Sequence, residues 1–196
     1  MNRIPILETK RLLLDEVGSH PRDVENNWRY VMDPAVNDML NGSGHIHATS
    51  LEDAQIRHEK SWEKVASGLI VPWGIRLKDN PEELIGLILY RKMEKEGEWG
   101  RIFWMAKHMQ GKGYMTEAIE VTQDYMFSMH GMTVLKVSNF VGNEASRRLK
   151  LKTGCRYLGV FEMEKKLPNA THEERWELTA DMWAACKACR PGLDSP

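Results

Sequence analysis

QGKGYMT, at residues 110–116, is the stretch that decides the fold of this chain, because it joins two different sequence patterns. Before it, RIFWM at 101–105 has the apolar composition of a short strand. After it, residues recur at helical spacing, with one face formed by Met115, Ile119, Thr122 and Met126. The pattern predicts a strand, a glycine-rich turn and a helix over residues 101–129.

The turn has the features of a phosphate-binding site. The first turn of a helix leaves backbone N–H groups without partners, and the helix dipole makes that end electropositive. Phosphates bind there when no side chain blocks the backbone, and Gly111 and Gly113 remove that obstruction. Lys112 adds charge at the rim, and Thr116 adds a hydroxyl in the first helical turn. The composition predicts that this turn holds a pyrophosphate.

Other phosphate-binding classes fit the turn less well. A Walker A loop needs Lys after its second conserved glycine, whereas Gly113 is followed by Tyr114. A dinucleotide fingerprint needs a third glycine where Thr116 stands, and no acidic residue follows at a suitable distance. A plain strand-to-helix turn without a ligand stays open as an alternative, and the turn alone does not separate the two.

The rest of the chain predicts one α/β domain. Strand composition covers residues 8–15, 69–77, 84–91, 101–105, 134–140, 157–167 and 173–183, and helical spacing covers 21–40, 50–67, 114–129 and 144–152. Ser50 is a plausible N-cap, with Asp53 at the capping-box position. Such mixing implies one sheet with helices packed on it. We expect a single domain over residues 1–196, with its core at about 8–183 and a short C-terminal tail.

Composition excludes several functions. The formal net charge of −1, with both signs mixed along the chain, argues against a nucleic-acid binder, which needs a clustered basic surface. Three cysteines do not make a disulfide framework, and neither a secretory h-region nor a membrane-length apolar stretch is present. The CxxC pair Cys186 and Cys189 lacks further ligands for zinc. We therefore expect a cytoplasmic protein with no membrane, nucleic-acid or metal partner.

The motif QGKGYMTEA at 110–118 resembles the central motif of GNAT acetyltransferases, Gln/Arg-x-x-Gly-x-Gly/Ala, with Met115 in place of the final small residue. That replacement is familiar in the branch of the ribosomal-protein alanine N-acetyltransferases. Three further matches follow in the right order, namely ETKRLLL at 8–14, LIGLILY at 84–90, and NEAS at 143–146 with Gly154 downstream. The resemblance spans roughly residues 8–182.

The resemblance implies a mixed, mostly antiparallel sheet whose central strands splay apart, with helices on both sides. It implies acetyl-CoA as co-substrate, with the pantetheine arm in the gap beside Phe103, Trp104 and Met105. The pyrophosphate would lie on the turn formed by Gln110, Gly111, Lys112, Gly113, Tyr114, Met115 and Thr116. Asn143 resembles the family residue that touches the pantetheine or a bound water near the thiol.

The implied reaction is acetyl transfer to a primary amine through a tetrahedral intermediate. The backbone N–H of Met105 would stabilise the oxyanion. The leaving thiolate needs a proton, and the family's usual tyrosine position, seven residues after Asn143, is Lys150, so the tyrosine role is not available. Ser146, at the position of a serine used in the ribosomal-protein branch, is the candidate thiolate stabiliser or general acid. The alternative is an ordinary serine on the helix surface.

No general base is identified. The glutamate of some relatives corresponds to Ser138, which is not basic. Residues 41–62 offer His45, His47, Asp53 and His58, although simple solvation is the more common case for His45 and for His47 on their polar loop. Either water relays the proton or the amine arrives neutral.

The acceptor is equally open: a protein N-terminus, a polyamine-like or aminoglycoside-like small amine, or an amino acid. Trp28, Trp62, Trp73 and Trp104 either line an apolar acceptor cleft or fill the core. Both a monomer and a homodimer suit such a domain. Because the usual tyrosine and glutamate are missing, a non-catalytic acyl-CoA-binding regulatory domain is the alternative function.

Overall fold

The computed structural model describes residues 4–34, 36, 40, 48–167 and 170–189. Over these ranges the strands are β1 (Leu7–Glu8), β2 (Leu12–Asp15), β3 (Ile70–Leu77), β4 (Gly86–Lys92), β5 (Glu98–Met105), β6 (Val134–Phe140), β7 (Arg156–Leu167) and β8 (Ala170–Thr179). The helices are α1 (Asp23–Met32), α2 (Leu51–Ala66), α3 (Tyr114–Ser128), α4 (Glu144–Lys152) and α5 (Ala180–Ala188), with a 3-10 turn at Lys107–Met109.

The strands form one eight-stranded sheet in the order β1-β2-β3-β4-β5-β6-β8-β7. Every neighbouring pair is antiparallel except β5 and β6, which run parallel. Parallel neighbours need a long crossover connection, and α3 supplies it. The predicted mixed, mostly antiparallel α/β fold is confirmed.

The parallel pair separates soon after it begins. β5 and β6 are paired only at Glu98 with Val134 and at Trp99 with Leu135. By contrast, β5 stays paired with β4 along its whole length, from Trp99 opposite Lys92 to Met105 opposite Gly86. The carboxyl half of β5 therefore has a neighbour on one side only, and a gap opens toward β6.

One face of the sheet packs against α3. The Tyr90 hydroxyl and Thr122 Oγ1 lie 3.2 Å apart, and the Trp73 ring meets the Tyr125 ring edge-on with centroids 5.6 Å apart. Trp73, Tyr90 and Thr122 are fully buried. Because these large side chains interlock between the helix and the central strands, the main core lies on this face, and Trp73 belongs to it.

The opposite face carries α1 and α2. Arg76 is fully buried there, and it donates from Nη2 to Asp23 Oδ2 (2.6 Å) and from Nε to Asp15 Oδ1 (2.8 Å). These ion pairs tie β2, β3 and α1 together. Removing Arg76 would leave the two buried carboxylates without this cation, at a cost of about 3–5 kcal/mol.

The predicted start of α2 is close to the observed one. The Ser50 side chain accepts from the Asp53 N–H (3.1 Å), whereas the Asp53 carboxylate reaches back to the Thr49 N–H (3.0 Å) instead of to the cap itself. Helix α1 ends at Met32, earlier than the predicted 21–40, and most of the residues from 35 to 47 lie outside the described part of the chain.

Two predicted strands differ most from the structure, and β5 begins three residues before the predicted 101–105. The strand expected at 8–15 divides into β1 and β2, because the chain turns at Thr9, whose N–H donates to the Leu12 carbonyl (3.0 Å). The strand expected at 173–183 ends at Thr179, whose side chain caps α5 by accepting from the Met182 N–H (3.3 Å). The expected core boundary at residue 183 falls inside this helix, where Trp183 is buried. None of the described helices has the length and apolarity needed to cross a membrane.

Candidate active site

The gap between β5 and β6 forms a cleft of about 970 Å³. Its walls come from the end of β5, the glycine-rich turn, the start of α3, β6 and the start of α4. Residues that the sequence singled out meet there, namely Phe103, Trp104, Met105, Gln110, Gly111, Gly113, Tyr114, Met115, Thr116, Asn143 and Ser146. Lys112 does not line the cleft. The structure thus gathers predicted residues from three separate segments around one space.

The turn presents backbone rather than side chains to the cleft. Gly111 and Gly113 have φ angles of 77° and 82°, in the left-handed region that favours glycine. A Cβ on Gly111 would meet no atom within 4 Å. Glycine is therefore favoured there by its positive φ angle, and the space beside it is open. Gly113 is the N-cap of α3 and provides no side-chain cap. The first residues of α3 line the cleft, and their amides receive no hydrogen bond from a capping side chain.

Arg11, about a hundred residues earlier in the sequence, holds this turn in place. Its guanidinium donates from Nε to Glu117 Oε2 (2.7 Å) and from Nη1 to the Lys112 carbonyl (3.1 Å). It also stacks over the Tyr114 ring, 4.4 Å from the centroid. The Arg of ETKRLLL and the Glu of QGKGYMTEA therefore form one clamp, which fixes the angle at which the turn enters α3.

The clamp affects the Glu117 carboxyl in two opposing ways. Burial raises its pKa, but hydrogen bonds from the Thr9 side chain and from Arg11, with the Arg11 charge, outweigh burial and leave the pKa below its ordinary value. Glu117 therefore stays ionised near neutrality, and its charge stabilises the first turn of α3.

Alternate backbone groups of β5 face the gap. The Ala106 N–H donates to the carbonyl of Ile85, just before β4 (2.8 Å), and successive residues of an antiparallel ladder turn to opposite sides. The N–H and C=O of Trp104 therefore face β4, while those of Phe103 and Met105 face the gap. The Met105 carbonyl accepts from Gln110 Nε2 (3.0 Å), and by the same alternation the Met105 N–H faces the gap.

The Trp104 side chain lies on the face that carries α1. It is 4% exposed and packs on the Tyr30 ring, with centroids 5.8 Å apart. The Tyr30 hydroxyl donates to Glu83 Oε1 (2.8 Å), and burial together with that carboxylate raises the pKa of Tyr30. Trp104 thus contributes its side chain to the far end of the cleft and its backbone to the sheet.

The wall formed by α4 carries side chains. Asn143 caps the helix by accepting from the Ser146 N–H (3.0 Å). Ser146 Oγ in turn accepts from Lys150 Nζ (2.6 Å), and Lys150 also donates to Asn139 Oδ1 (2.9 Å). Asn139 Nδ2 donates to Glu174 Oε2 (2.8 Å). Ser146 is therefore the cleft-side end of a chain of polar groups that runs into the protein.

Within this chain of polar groups, Lys150 occupies the position at which the resemblance implied a tyrosine. It is 2% exposed, and burial, followed by the nearby Arg101 cation, lowers its pKa to about 7. The spacing alone could have revealed this contact, since Ser146 and Lys150 are four residues apart on one helix and therefore face the same way.

The two base candidates within the described residues, Asp53 and His58, do not line this cleft. Asp53 is held by Arg57 Nε (2.8 Å) on the surface of α2, and His58 lies in a smaller cavity beside Trp28 and Trp62. Burial lowers the pKa of His58, and its Nε2 accepts from Trp62 Nε1 (3.2 Å), so it is a neutral packed ring. His45 and His47 lie outside the described residues.

Ser138 lines the cleft opposite Arg175 in the β6–β8 ladder and carries no titratable group that could act as a base. Cys155 is buried, and Cys186 and Cys189 are free thiols. Across the described ranges no group of three His, Cys, Asp or Glu side chains converges to hold a metal ion.

The comparison with known families agrees with this geometry. The model of the Acetyltransferase (GNAT) domain family matches residues 11–156. The chain belongs to the GNAT acetyltransferase family. The predicted resemblance is confirmed, and so is the predicted enzyme class, N-acetyltransferase.

Individual relatives support the assignment. The uncharacterised N-acetyltransferase YoaA of Bacillus subtilis (strain 168) is 28% identical over 159 residues, which are 80% of this chain and 86% of YoaA. The ribosomal-protein-S5-alanine acetyltransferase of Vibrio fischeri superposes with a TM-score of 0.73 at 16% identity, over 91% of this chain and 98% of that one. The ribosomal L7/L12 alpha-N-protein acetyltransferase RimL, solved in complex with coenzyme A, gives a TM-score of 0.74 at 14% identity, over 91% and 99%. At these identities the two solved structures show a shared GNAT fold.

Proposed function

We propose that this GNAT protein transfers an acetyl group from acetyl-CoA to a primary amine by direct attack. The observation that carries the proposal is the single cleft in which a glycine-rich helix start, the Met105 N–H and the Ser146 side chain meet. These supply the three things that the reaction needs: a place for the pyrophosphate, a donor for the oxyanion and a polar group at the leaving thiolate.

In the proposed complex the pyrophosphate accepts from the first amides of α3, and Lys112 adds charge from the rim. The pantetheine arm runs along the gap and exchanges hydrogen bonds with the backbone of Phe103 and Met105, which has no strand partner on that side. Asn143 and Ser146 flank the thioester from α4. The backbone therefore recognises the donor.

The amine nitrogen attacks the thioester carbonyl carbon, and the Met105 N–H stabilises the oxyanion of the tetrahedral intermediate. The C–S bond then breaks, and its electron pair leaves on the sulfur, where Ser146 stabilises the thiolate. The attacking amine loses its extra proton to water in this proposal, and neither of the described base candidates, Asp53 and His58, lines the cleft.

The acceptor enters from the sheet face opposite α4, where Trp104, Ser138 and Arg175 line the cleft. Two acceptor classes fit this setting: a protein N-terminus, in line with the similar alpha-N-protein acetyltransferase RimL, and a small amine. The proposal includes a cytoplasmic location, which suits three free thiols.

Thermal melting with acetyl-CoA, CoA, ATP and NAD tests the donor. Ligand at 100 to 1,000 times its dissociation constant should stabilise the fold by about 3–4 kcal/mol, and only the two CoA species should do so. If neither CoA species raises the melting temperature, the proposed function is wrong. Release of free thiol across a panel of peptides and small amines then separates an enzyme from a non-catalytic acyl-CoA sensor, which would bind without turnover.

A further inference from the structure

Lys150 is a buried amine that the proposed mechanism does not use. Its Nζ lies 2.6 Å from Ser146 Oγ, and Ser146 is the candidate group at the leaving thiolate. Lysine is rarely buried without a role, because removing an ammonium group from water is costly. Its contact points toward the cleft.

The partners of Lys150 fix where its head group points. Asn139 Oδ1 accepts from Nζ (2.9 Å), and Glu174 fixes the Asn139 amide by accepting from its Nδ2 (2.8 Å). Asn139 therefore holds Nζ from one side, and the hydrogen bond to Ser146 is the contact of Lys150 that leads toward the cleft.

Charged groups face Lys150 from several elements. Arg101 approaches from β5, Glu174 from β8, and Cys155 from the turn before β7. On α4 itself, Arg147 Nε lies 4.0 Å from Glu174 Oε1. Burial and the Arg101 cation favour the neutral amine, while Glu174 and Cys155 favour the ammonium, and the net pKa of about 7 lets both forms exist near neutrality.

We propose that Lys150 is a positioning residue and proton source, which supplies through Ser146 the proton that the departing CoA thiolate takes. This rests on the proposed function. As the C–S bond breaks, the sulfur takes the hydroxyl proton of Ser146, and Ser146 Oγ takes a proton from Lys150 Nζ. Lys150 is left as a neutral amine and regains its proton from water before the next turnover.

A purely structural lysine would behave differently. It would support the packing of α4 against β6 and would not respond to the state of the thiol. The experiment must therefore read the sulfur itself, and it should not need the acceptor, whose identity is open.

The first test is a pH titration of CoA bound to the protein, followed by the ultraviolet absorbance of the thiolate. In the wild type the thiolate should appear at lower pH than in free CoA, because a nearby ammonium favours it, and the two groups titrate as a pair. In Lys150→Met the thiolate fraction near pH 7 should fall at least about tenfold. Equal titration curves in the two proteins would overturn the inference.

Controls separate this result from loss of the site. The affinity of Lys150→Met for desulfo-CoA, which has no thiol, should stay within about twofold of the wild type. Lys64→Met, which changes an exposed lysine on α2, should titrate like the wild type. If wild-type protein does not bind CoA at all, the proposed function has failed, which is a different outcome from CoA binding without a shifted thiol.

Lys150→Arg keeps a cation that does not release its proton near neutrality. It should restore the low thiolate pKa but not turnover, and it remains informative if Lys150→Met folds poorly. Restored turnover in Lys150→Arg would overturn the proton transfer.

Turnover provides the second test once an acceptor amine is known. Lys150→Met should lower kcat by about 10- to 100-fold. The decline of wild-type kcat at pH above about 7, where Lys150 loses its proton, should disappear in this variant. Because Lys150 acts through Ser146, adding Lys150→Met to Ser146→Ala should cost less than about twofold more. If the kcat of the double variant fell by the product of the two single losses, the inference would be overturned.

Discussion

The two walls of the cleft differ in the groups that they present: one presents backbone groups and the other presents side chains. The wall at the start of α3 presents backbone amides, exposed by Gly111 and Gly113 and fixed from behind by Arg11. The wall at α4 presents side chains, in a chain that leads from Ser146 to buried Lys150. Backbone groups cannot change their protonation near neutrality, whereas an amine can. The first wall is thus suited to holding a ligand and the second to moving a proton, and substitutions should separate the two functions.

The largest expected effect is at Gly113. Glu at this position would need a φ of 82°, which is strained for any side chain, and would place a carboxylate beside the proposed pyrophosphate. Gly113→Glu should lower CoA affinity by at least about 100-fold. Calorimetric titration with CoA measures it.

Gly131→Glu is the matched control, since Gly131 has a φ of 72°, no atom near its Cβ position and no contact with the cleft. It should lose similar stability but keep its affinity for CoA. If both variants lost affinity equally, backbone strain rather than the turn would explain the result.

Next in size is the effect of Ser146 on rate. Ser146→Ala keeps the N–H that bonds to Asn143 but loses the hydroxyl, so kcat should fall by about 10- to 100-fold while acetyl-CoA affinity stays within about twofold. Steady-state kinetics with acetyl-CoA binding measured separately checks both. Weakened acetyl-CoA affinity with a normal kcat would contradict the separate roles assigned to the two walls.

Arg11 should behave as part of the first wall although it lies about a hundred residues away in sequence. Arg11→Ala removes the clamp on Glu117 and on the Lys112 carbonyl, so CoA affinity should fall by about tenfold, the scale of one or two hydrogen bonds. Lys10→Ala, at the exposed neighbouring position, is the control. A change in kcat alone would contradict this assignment.

The smallest effect concerns the stability of the same clamp. The folded-state pKa of Glu117 is lowered, so its contribution to stability is present above its unfolded pKa and is lost as pH falls through the folded value. Glu117→Gln should therefore be less stable than wild type by about 1–2 kcal/mol at pH 7. The difference should shrink below about pH 4, as urea unfolding across pH can show. A constant difference across pH would exclude the charge as its cause.

Most of the fold followed from local patterns. The predicted bounds of β6 and α4 are those observed, because alternation and helical spacing there agree with burial. The break between β1 and β2 did not follow, since it belongs to a turn whose Thr9 and Arg11 bond to Glu117, a contact that no local pattern encodes. A similar limit applies to Met129, which was expected as the last residue of α3 and is 75% exposed just beyond the end of that helix.

The two walls differ in the same way. The glycine spacing predicted the turn, because the backbone dihedral angles that a glycine allows are a property of that single residue. The spacing of Ser146 and Lys150 is visible in the sequence, but the burial of Lys150 is not, since it depends on Asn139 and Glu174, which lie on two separate strands. The acceptor is hidden for the same reason, because its surroundings combine side chains from several distant segments.

A sheet normally has its unpaired strands at the outside, where they invite pairing with another protein. This sheet has two more inside the molecule, since β5 and β6 part after two residue pairs. Edges placed there are sheltered from aggregation by the helices that flank them. A second polypeptide cannot reach them easily, whereas a thin molecule with its own amides can. In the proposed complex, acetyl-CoA would serve as the missing strand of the sheet for the duration of one reaction.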